Sequence, residues 1–206
     1  MHPNSLHDCA LVVVLFHTTP QDHLARLAPI AAMGAKILLV DNTPTDETAR
    51  SPVASYLPGH PYITHIPLGR NAGIAHALNV GLQMAFAAGA THTFTFDQDS
   101  EVTADLLTAL LARYTTLEQQ GQRLLALGPH PVNKVTGASY LRRRDRLRVR
   151  LRGRLSNPLL HTSEIITSGL LTNRETFAAA GPYDTSLFID FVDHDWCWRL
   201  RRTGGR

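Results

Sequence analysis

The 206-residue chain is 44% hydrophobic and 18% charged, with a formal net charge of +3. This ordinary globular composition excludes disordered, collagenous and disulfide-scaffold proteins, and the length predicts a single domain, residues 1–206. The two cysteines, Cys9 and Cys197, can form neither a disulfide framework nor, alone, a zinc site, and the longest apolar run of eight residues is too short to span a bilayer. These features predict a cytoplasmic protein.

Apolar runs of strand length alternate with segments of helical periodicity along the chain. The runs predict strands at 10–16, 36–40, 62–66, 91–96 and 124–128, and the periodic segments predict helices at 22–33, 73–89, 103–120, 174–180 and 193–203. A further helix is predicted from Thr45 to about Tyr56. Strand–helix alternation with short connections predicts an α/β fold with a mostly parallel central sheet flanked by helices.

Polar residues follow three of the predicted strands. Asp41 and Asn42 come after the second strand, the sequence Gly69-Arg70-Asn71-Ala72-Gly73 comes after the third, and Asp97-Gln98-Asp99 comes after the fourth. In sheets of this kind ligands bind at the carboxyl ends of the strands. We therefore expect these residues to converge on one edge of the sheet.

Asp97 and Asp99 predict a site for a divalent cation. Two carboxylates two residues apart at a strand end can hold Mg²⁺ or Mn²⁺ and leave positions open for phosphate and water. The alternative interpretation is a solvated turn that caps the next helix, where Asp and Ser are also common.

The two earlier loops carry weaker signals for nucleotide binding. Asp41 can accept hydrogen bonds from a nucleobase or a ribose, although an Asx-turn needs the same residue type. Arg70 could meet a phosphate at the start of the following helix, Asn71 could cap that helix, and glycine permits close backbone approach. A plain turn from loop to helix would need much the same residues.

The segment from Phe188 to Trp196 interleaves three carboxylates with large apolar side chains, which indicates partly buried acids. A partly buried carboxylate can act as a general base. Simple capping of a helix that starts near Asp193 is the alternative, because the helix dipole favours acids in the first turn. We interpret His194, which stands between two of the acids, as a source of local electrostatics rather than a metal ligand.

Taken in order, six motifs resemble the inverting family 2 glycosyltransferases: V-V-V-L-F, V-D-N-T, G-R-N-A-G-I-A-x-A-L-N-x-G, F-D-Q-D-S, T-S-G and F-I-D-F-V-D-H-D-W-C-W-R. The resemblance extends from about Ala10 to Arg202, and the fourth and sixth motifs resemble the rhamnosyltransferase branch. It implies the GT-A fold, a nucleotide-sugar donor (dTDP-L-rhamnose in this branch) and a divalent cation. Such proteins usually continue with further C-terminal helices, so this chain is expected to be either truncated or minimal.

The resemblance also implies roles for individual residues. Asp193 occupies the position of the catalytic base, and Val192 replaces a Glu that the wider family usually has there. Asp99 would be the principal metal ligand. The complete set is Asp97 and Asp99 for the metal, Asp41, Asn42, Arg70, Asn71, Gly73 and Asp97 for the nucleotide-sugar, and Ser168, Gly169 and Asp190 for the acceptor.

Two other functions remain open from the residues. A sugar-phosphate nucleotidyltransferase of related fold would usually have a Gly-rich loop where this chain has His17-Thr18-Thr19-Pro20. A non-enzymatic basic module binding anionic lipid or nucleic acid would explain the stretch from Arg142 to Arg154, which holds eight Arg and one Asp, but not the acidic clusters.

The arginine-rich stretch alternates with period two after Arg146, which predicts an extended ribbon with one charged face or else a solvated loop. We expect the ribbon to contact an anionic membrane, and we expect no nucleic-acid partner. The acceptor is expected to be a saccharide or a lipid-linked saccharide of cell-surface polysaccharide synthesis, with the protein cytoplasmic or peripheral at the inner membrane face.

Overall fold

The computed structural model describes residues 6–45, 54–123, 125–130, 136 and 162–205. In chain order these residues form β1 (Cys9–Leu15), α1 (Gln21–Ala31), β2 (Lys36–Asp41), β3 (Ser55–Leu57), β4 (His60–Pro67), α2 (Ile74–Ala87), β5 (His92–Asp97), α3 (Ala104–Gln119), β6 (Ala126–Leu127), β7 (Leu170–Asn173), α4 (Arg174–Ala180) and α5 (Val192–Arg202). A 3-10 helix at Thr185–Leu187 precedes α5. The arginine-rich stretch from Arg142 to Arg154 lies outside the described residues.

The strands in the described residues form one sheet in the order β3-β4-β2-β1-β5-β7-β6. The four central strands β4, β2, β1 and β5 are parallel, while β3, β7 and β6 pair antiparallel with their neighbours. All seven residues of β1 are buried, as a continuous apolar run in the middle of a parallel sheet requires. The prediction of an α/β fold with a mostly parallel sheet is confirmed.

Helices cover both faces of the sheet. Alternate residues of β1 belong to two separate cores, with Leu11 and Val13 on the side of α1 and α3 and with Val12 on the side of α2, α4 and α5. At Gly81 a side chain would collide with Val12, so glycine lets α2 lie close against β1. Trp196 is fully buried in the second core, and its indole N–H donates to the Gly181 carbonyl at 2.9 Å.

Helix α2 is also bonded to the segment that leads into α5. The amide of buried Asn79 donates to the Tyr183 carbonyl and accepts the Tyr183 N–H, both at 2.8 Å. The N–H of Ile74 donates to the Phe188 carbonyl at 2.7 Å. The first two turns of α2 are thereby joined to a backbone segment more than a hundred residues later in the sequence.

One predicted element is wrong at its end. The helix expected to reach Tyr56 lies partly outside the described residues, but Ser55 and Tyr56 belong to β3, which pairs antiparallel with β4. The cause is the two-residue turn at Pro58 and Gly59, where Gly59 has a φ of +77°. Such a turn joins the strands of a hairpin. The strand expected at 124–128 is confined to Ala126–Leu127.

Candidate active site

The carboxyl ends of β2, β1 and β5 meet at one edge of the sheet, as expected. Register places Asp41 opposite Leu15 on one side of β1 and Asp97 opposite Val14 on the other. The backbone after β1 is tied to both loops, because the Phe16 N–H donates to Gln98 Oε1 at 2.7 Å and the His17 N–H donates to Thr43 Oγ1 at 2.8 Å. The edge is thus held in place by hydrogen bonds between its own loops.

Asp41 is a mostly buried carboxylate. Its Oδ2 lies 3.1 Å from His65 Nε2, and its Oδ1 accepts the Thr43 N–H at 3.0 Å. Burial by itself would raise the pKa of Asp41, but the hydrogen bonds from His65 and Thr43 outweigh it and hold the pKa below its usual value. Asp41 is therefore an ionised hydrogen-bond acceptor at neutral pH. Sequence reasoning missed His65, which no motif marks.

Asn42 and Asn71 form a bracket between the second and third loops. Asn42 is 5% exposed, its Nδ2 donates to Asn71 Oδ1 at 3.0 Å, and its Oδ1 accepts the Ala72 N–H at 2.8 Å. Both polar atoms of the Asn42 amide are thus used within the protein. The bracket sets the path of the loop that carries Arg70, whose side chain is exposed beside an open depression of about 280 Å³.

The start of α2 differs from the expectation for Asn71. The residue before the helix is Gly73, with a φ of +83°, and no side chain caps the helix. Asn71 Oδ1 accepts the Gly73 N–H at 3.2 Å, one position too early for a cap, because the Phe188 carbonyl takes the Ile74 N–H instead. A Cβ on Gly73 would lie 2.7 Å from that carbonyl oxygen, so this position requires glycine.

The carboxylates of Asp97, Asp99 and Asp193 form a cluster at the end of β5 in the sense that the charges of the last two act on the first. The pKa of Asp97 is raised, first by burial and then by the negative charges of Asp99 and Asp193. Asp193 therefore lies close enough to Asp97 to act on its ionisation, although α5 is the last helix in the described part of the chain. Asp99 itself is exposed.

Arg26, on α1, is a cation beside this cluster that sequence reasoning missed. Its guanidinium donates to the Ser100 carbonyl. Burial lowers the pKa of Arg26, and the negative charge of Asp99 offsets part of that shift. No motif predicts this contact, because the sequence of α1 has only the apolar spacing that is typical of an amphipathic helix.

Ser168 and Gly169 lie beside the Asp97–Asp99 turn. The hydroxyl groups of Ser168 and Ser100 are hydrogen-bonded, and the Gly169 N–H donates to the Thr95 carbonyl at 2.8 Å. Gly169 has a φ of +89°, and a side chain there would meet the ring of Pro129. The structure thus places these two residues next to the carboxylate cluster.

The loop before α5 is more exposed than its sequence suggests. Phe188, Ile189 and Phe191 are 47%, 66% and 65% exposed, and Asp190 is exposed with them. The expectation of partly buried acids fails for Asp190 but holds for Asp193 and Asp195, whose side chains are 20% and 31% exposed. The reason is that only the inner face of α5 reaches the core, through residues that include Val192 and Trp196.

Among the acids of this segment, Asp193 and Asp195 have different partners. Asp195 Oδ2 accepts from Arg199 Nε at 2.8 Å, one helical turn away. Asp193 keeps 20% of its side chain exposed, and its Oδ1 accepts the His194 N–H at 2.8 Å. Of these two acids, Asp193 is the one whose negative charge raises the pKa of Asp97.

Among the described residues there is no group of three or more His, Cys, Asp or Glu side chains able to hold a metal ion. Asp97 and Asp99 still fit Mg²⁺ or Mn²⁺, because these ions prefer oxygen ligands and are commonly held by one or two carboxylates together with substrate phosphates and water. The exposure of Asp99 leaves room for those further ligands.

Comparisons with known proteins agree with this fold. The chain is 26% identical over 196 residues to the dTDP-rhamnosyl transferase RfbF of Shigella flexneri, covering 94% of this chain and 63% of that protein. It matches a crystal structure of GalNAc-T7 with UDP, GalNAc and Mn²⁺ at a TM-score of 0.68 and 15% identity, over 97% of this chain and 41% of that one. The chain spans less than two thirds of either protein.

The family model described as Glycosyl transferase family 2 matches residues 24–177. That span includes every strand of the central parallel sheet except β1, together with the Asp97–Asp99 turn. The chain has the GT-A fold and belongs to glycosyl transferase family 2.

Proposed function

We propose that the chain is a metal-dependent inverting glycosyltransferase that moves L-rhamnose from dTDP-L-rhamnose to a hydroxyl group of a saccharide or lipid-linked acceptor. The observation that carries the proposal is the place of Asp97 at the carboxyl end of β5, two residues before Asp99, with the negative charges of Asp99 and Asp193 both acting on its pKa. Membership of the family supports the reaction, and the name of the Shigella flexneri relative supports the donor.

The donor half of the site consists of Asp41, Asn42, Arg70, Asn71 and Gly73. Asp41 is ionised, so its carboxylate can accept a hydrogen bond from a ring N–H of the donor's base. Asn42 and Asn71 hold the loop that presents Arg70, whose exposed guanidinium can bind a phosphate oxygen. Gly73 contributes through its backbone, because only glycine allows the chain to enter α2 at a φ of +83° beside the Phe188 carbonyl.

Asp97 and Asp99 would hold the divalent cation. When bound, such an ion stabilises the negative charge that develops on the departing nucleoside diphosphate. Asp99 is exposed toward solvent and would be the main ligand, while the more buried Asp97 would orient the donor beside it. The guanidinium of Arg26, bonded to the Ser100 carbonyl, fixes the backbone of this turn.

The acceptor half consists of Ser168, Gly169, Asp190 and Asp193. Asp193 would take the proton of the acceptor hydroxyl group while the oxygen of that hydroxyl group attacks the anomeric carbon. The attack would come from the side opposite the diphosphate, whose bond to the anomeric carbon breaks as the new bond forms. A single displacement of this kind inverts the configuration of that carbon. Ser168 lies beside the Asp97–Asp99 turn, where the acceptor would meet the donor sugar.

The test measures how dTDP binding depends on metal. Titration calorimetry should detect dTDP binding with Mn²⁺, and Asp99→Ala should weaken it by at least about tenfold, which corresponds to about 1.4 kcal/mol. Asp105→Ala, in the first turn of α3, is the matched control. NMR of the glycoside formed with methyl rhamnoside should show inversion. Metal-independent dTDP binding would contradict the role of Asp99, and a retained anomeric configuration would contradict the single displacement.

Membrane contact is a separate part of the proposal and rests on sequence. Each basic residue near an anionic surface contributes about 1 kcal/mol, and the attraction is screened over about 8 Å at physiological salt. The protein should therefore co-sediment with anionic vesicles at low salt and be released as salt rises. Replacement of Arg142, Arg143, Arg144 and Arg146 by Gln should abolish this binding and leave dTDP affinity unchanged. A wild-type protein that ignores anionic vesicles at low salt would contradict it.

No helix in the part of the chain that the structure describes is long and apolar enough to cross a membrane.

A further inference from the structure

We propose that His194 is a positioning residue that holds the Asp193 carboxylate in the orientation needed to accept a proton. The inference rests on the proposed function, in which Asp193 is the base. Nothing in the sequence marks His194 beyond its place between two acids.

Both hydrogen bonds from His194 reach the same oxygen of Asp193. The backbone N–H of His194 donates to Oδ1 at 2.8 Å, and the imidazole Nδ1 lies 2.7 Å from Oδ1. An N–H in the first turn of a helix has no partner within the helix, so this one is available to a side chain. As the proposed base, Asp193 carries no proton, and a carboxylate without a proton can only accept, so Nδ1 is the donor of the imidazole bond. Oδ2 of Asp193 is therefore the oxygen that remains to accept the proton of the acceptor hydroxyl group.

The imidazole is itself held from its other side. His194 Nε2 lies 3.2 Å from Glu164 Oε2, and the indole N–H of Trp198 donates to the second oxygen of Glu164 at 3.2 Å. The Glu164 side chain is only 12% exposed. Both nitrogens of the ring thus face a carboxylate, so the ring cannot turn without giving up one contact.

Two aromatic rings flank the same imidazole. Phe191 and Trp198 stand edge-on to it, with centroid distances of 5.7 Å and 6.4 Å. These contacts reduce the number of orientations open to His194 and, through it, to Asp193. A base held in one orientation is more effective because misplacement of a reacting group by about 1 Å can cost about 100-fold in rate.

Amide substitutions separate the two nitrogens of His194. The side-chain nitrogen of Asn stands where Nδ1 stands, so His194→Asn keeps a donor for Asp193. His194→Gln places its amide near the position of Nε2, toward Glu164. A purely structural role would make the two variants similar, whereas a positioning role makes His194→Asn the better enzyme.

The experiment measures release of dTDP from dTDP-L-rhamnose with water as the acceptor. His194→Ala should lower kcat by about 10- to 100-fold with little change in the KM for the donor. His194→Asn should restore most of that loss and His194→Gln should not. His92→Ala is the matched control, because His92 Nε2 also faces a glutamate, Glu118, at 3.5 Å but lies at the opposite end of β5.

A double-mutant cycle with Asp193→Asn completes the test. If His194 acts through Asp193, His194→Ala should cost nothing further in that background. An equal loss in both backgrounds, or equal kcat values for His194→Asn and His194→Gln, would overturn the inference. Normal turnover in His194→Ala beside a defective Asp193→Asn would overturn this inference alone. Full turnover in Asp193→Asn would overturn the proposed base and this inference with it.

Discussion

Asn42 in the donor half and Phe191 beside the acceptor half are held in opposite ways. Asn42 is 5% exposed and both atoms of its amide are bonded to the loop before α2, whereas Phe191 is 65% exposed at the start of α5. Leaving a buried polar group without a partner costs about 1–3 kcal/mol. Changes to the donor half should therefore lower stability and donor affinity together, while changes to the acceptor half should lower turnover alone.

The largest effect that sharpens this comparison should come from Asp193→Asn. An amide cannot take a proton from the acceptor, and general-base catalysis is typically worth about 10²–10⁴-fold. We expect turnover of dTDP-L-rhamnose to fall by that factor while dTDP affinity, measured by calorimetry, stays the same.

Asp195→Asn is the matched control for that variant, because Asp195 is two residues away and paired with Arg199. It should leave turnover close to the wild-type value. If Asp193→Asn lowered turnover by much less than tenfold, Asp190 or Asp195 would be the base instead. The expected difference between the donor half and the acceptor half would then be contradicted.

A smaller effect should come from Gly73→Ala, which tests the contact between the halves. Backbone strain at a φ of +83° costs about 1–3 kcal/mol, and the new Cβ would also collide with the Phe188 carbonyl. The free energy of unfolding, measured in urea, should fall by at least that amount. Gly59→Ala carries similar strain at a φ of +77° with open space around it. Equal losses in the two variants would show that the Phe188 contact contributes nothing.

The smallest effect should come from His65→Ala, and it concerns pH. The pKa of Asp41 is held below its usual value by hydrogen bonds that outweigh burial, and His65 provides one of them. Removing His65 should raise this pKa, so Asp41 should become protonated at a higher pH than in the wild type. If thymidine binding needs ionised Asp41, the fall in thymidine affinity on acidification should therefore begin at a higher pH in His65→Ala. Thymidine, followed by ligand-observed NMR, isolates this contact from the metal.

His60→Ala is the control for that titration, since His60 lies at the other end of β4. It should leave the pH dependence of thymidine binding as it is in the wild type. Identical titrations for wild type and His65→Ala would exclude Asp41 as the contact to the base.

Strand patterning was sufficient to predict that Asp41 and Asp97 lie at the same edge of the sheet. The apolar runs of β1, β2 and β5 located the strands to within a residue or two, and the acids Asp41 and Asp97 follow from the rule that ligands bind at carboxyl ends. The hairpin of β3 and β4 was missed because a short segment with one buried residue, Leu57, has too little periodicity to distinguish it from a helix end.

The supporting contacts could not be predicted, because they join residues that no local pattern relates. Glu164 reaches His194 across 30 residues, and Arg26 reaches Ser100 across 74. Each depends on how α5 or α1 docks on the sheet, which the spacing of apolar residues specifies only as a buried face. The direction of a polar side chain at the border of that face is decided by packing.

The bonds from Ile74 to Phe188 and from Asn79 to Tyr183 have a consequence for how the chain matures during synthesis. The first two turns of α2 belong to the early half of the chain, yet their partners are translated more than a hundred residues later. Until these partners emerge from the ribosome, the loop that carries Arg70 and leads into α2 lacks the support that fixes its geometry. A nascent chain should therefore acquire its parallel sheet before it acquires affinity for nucleotide.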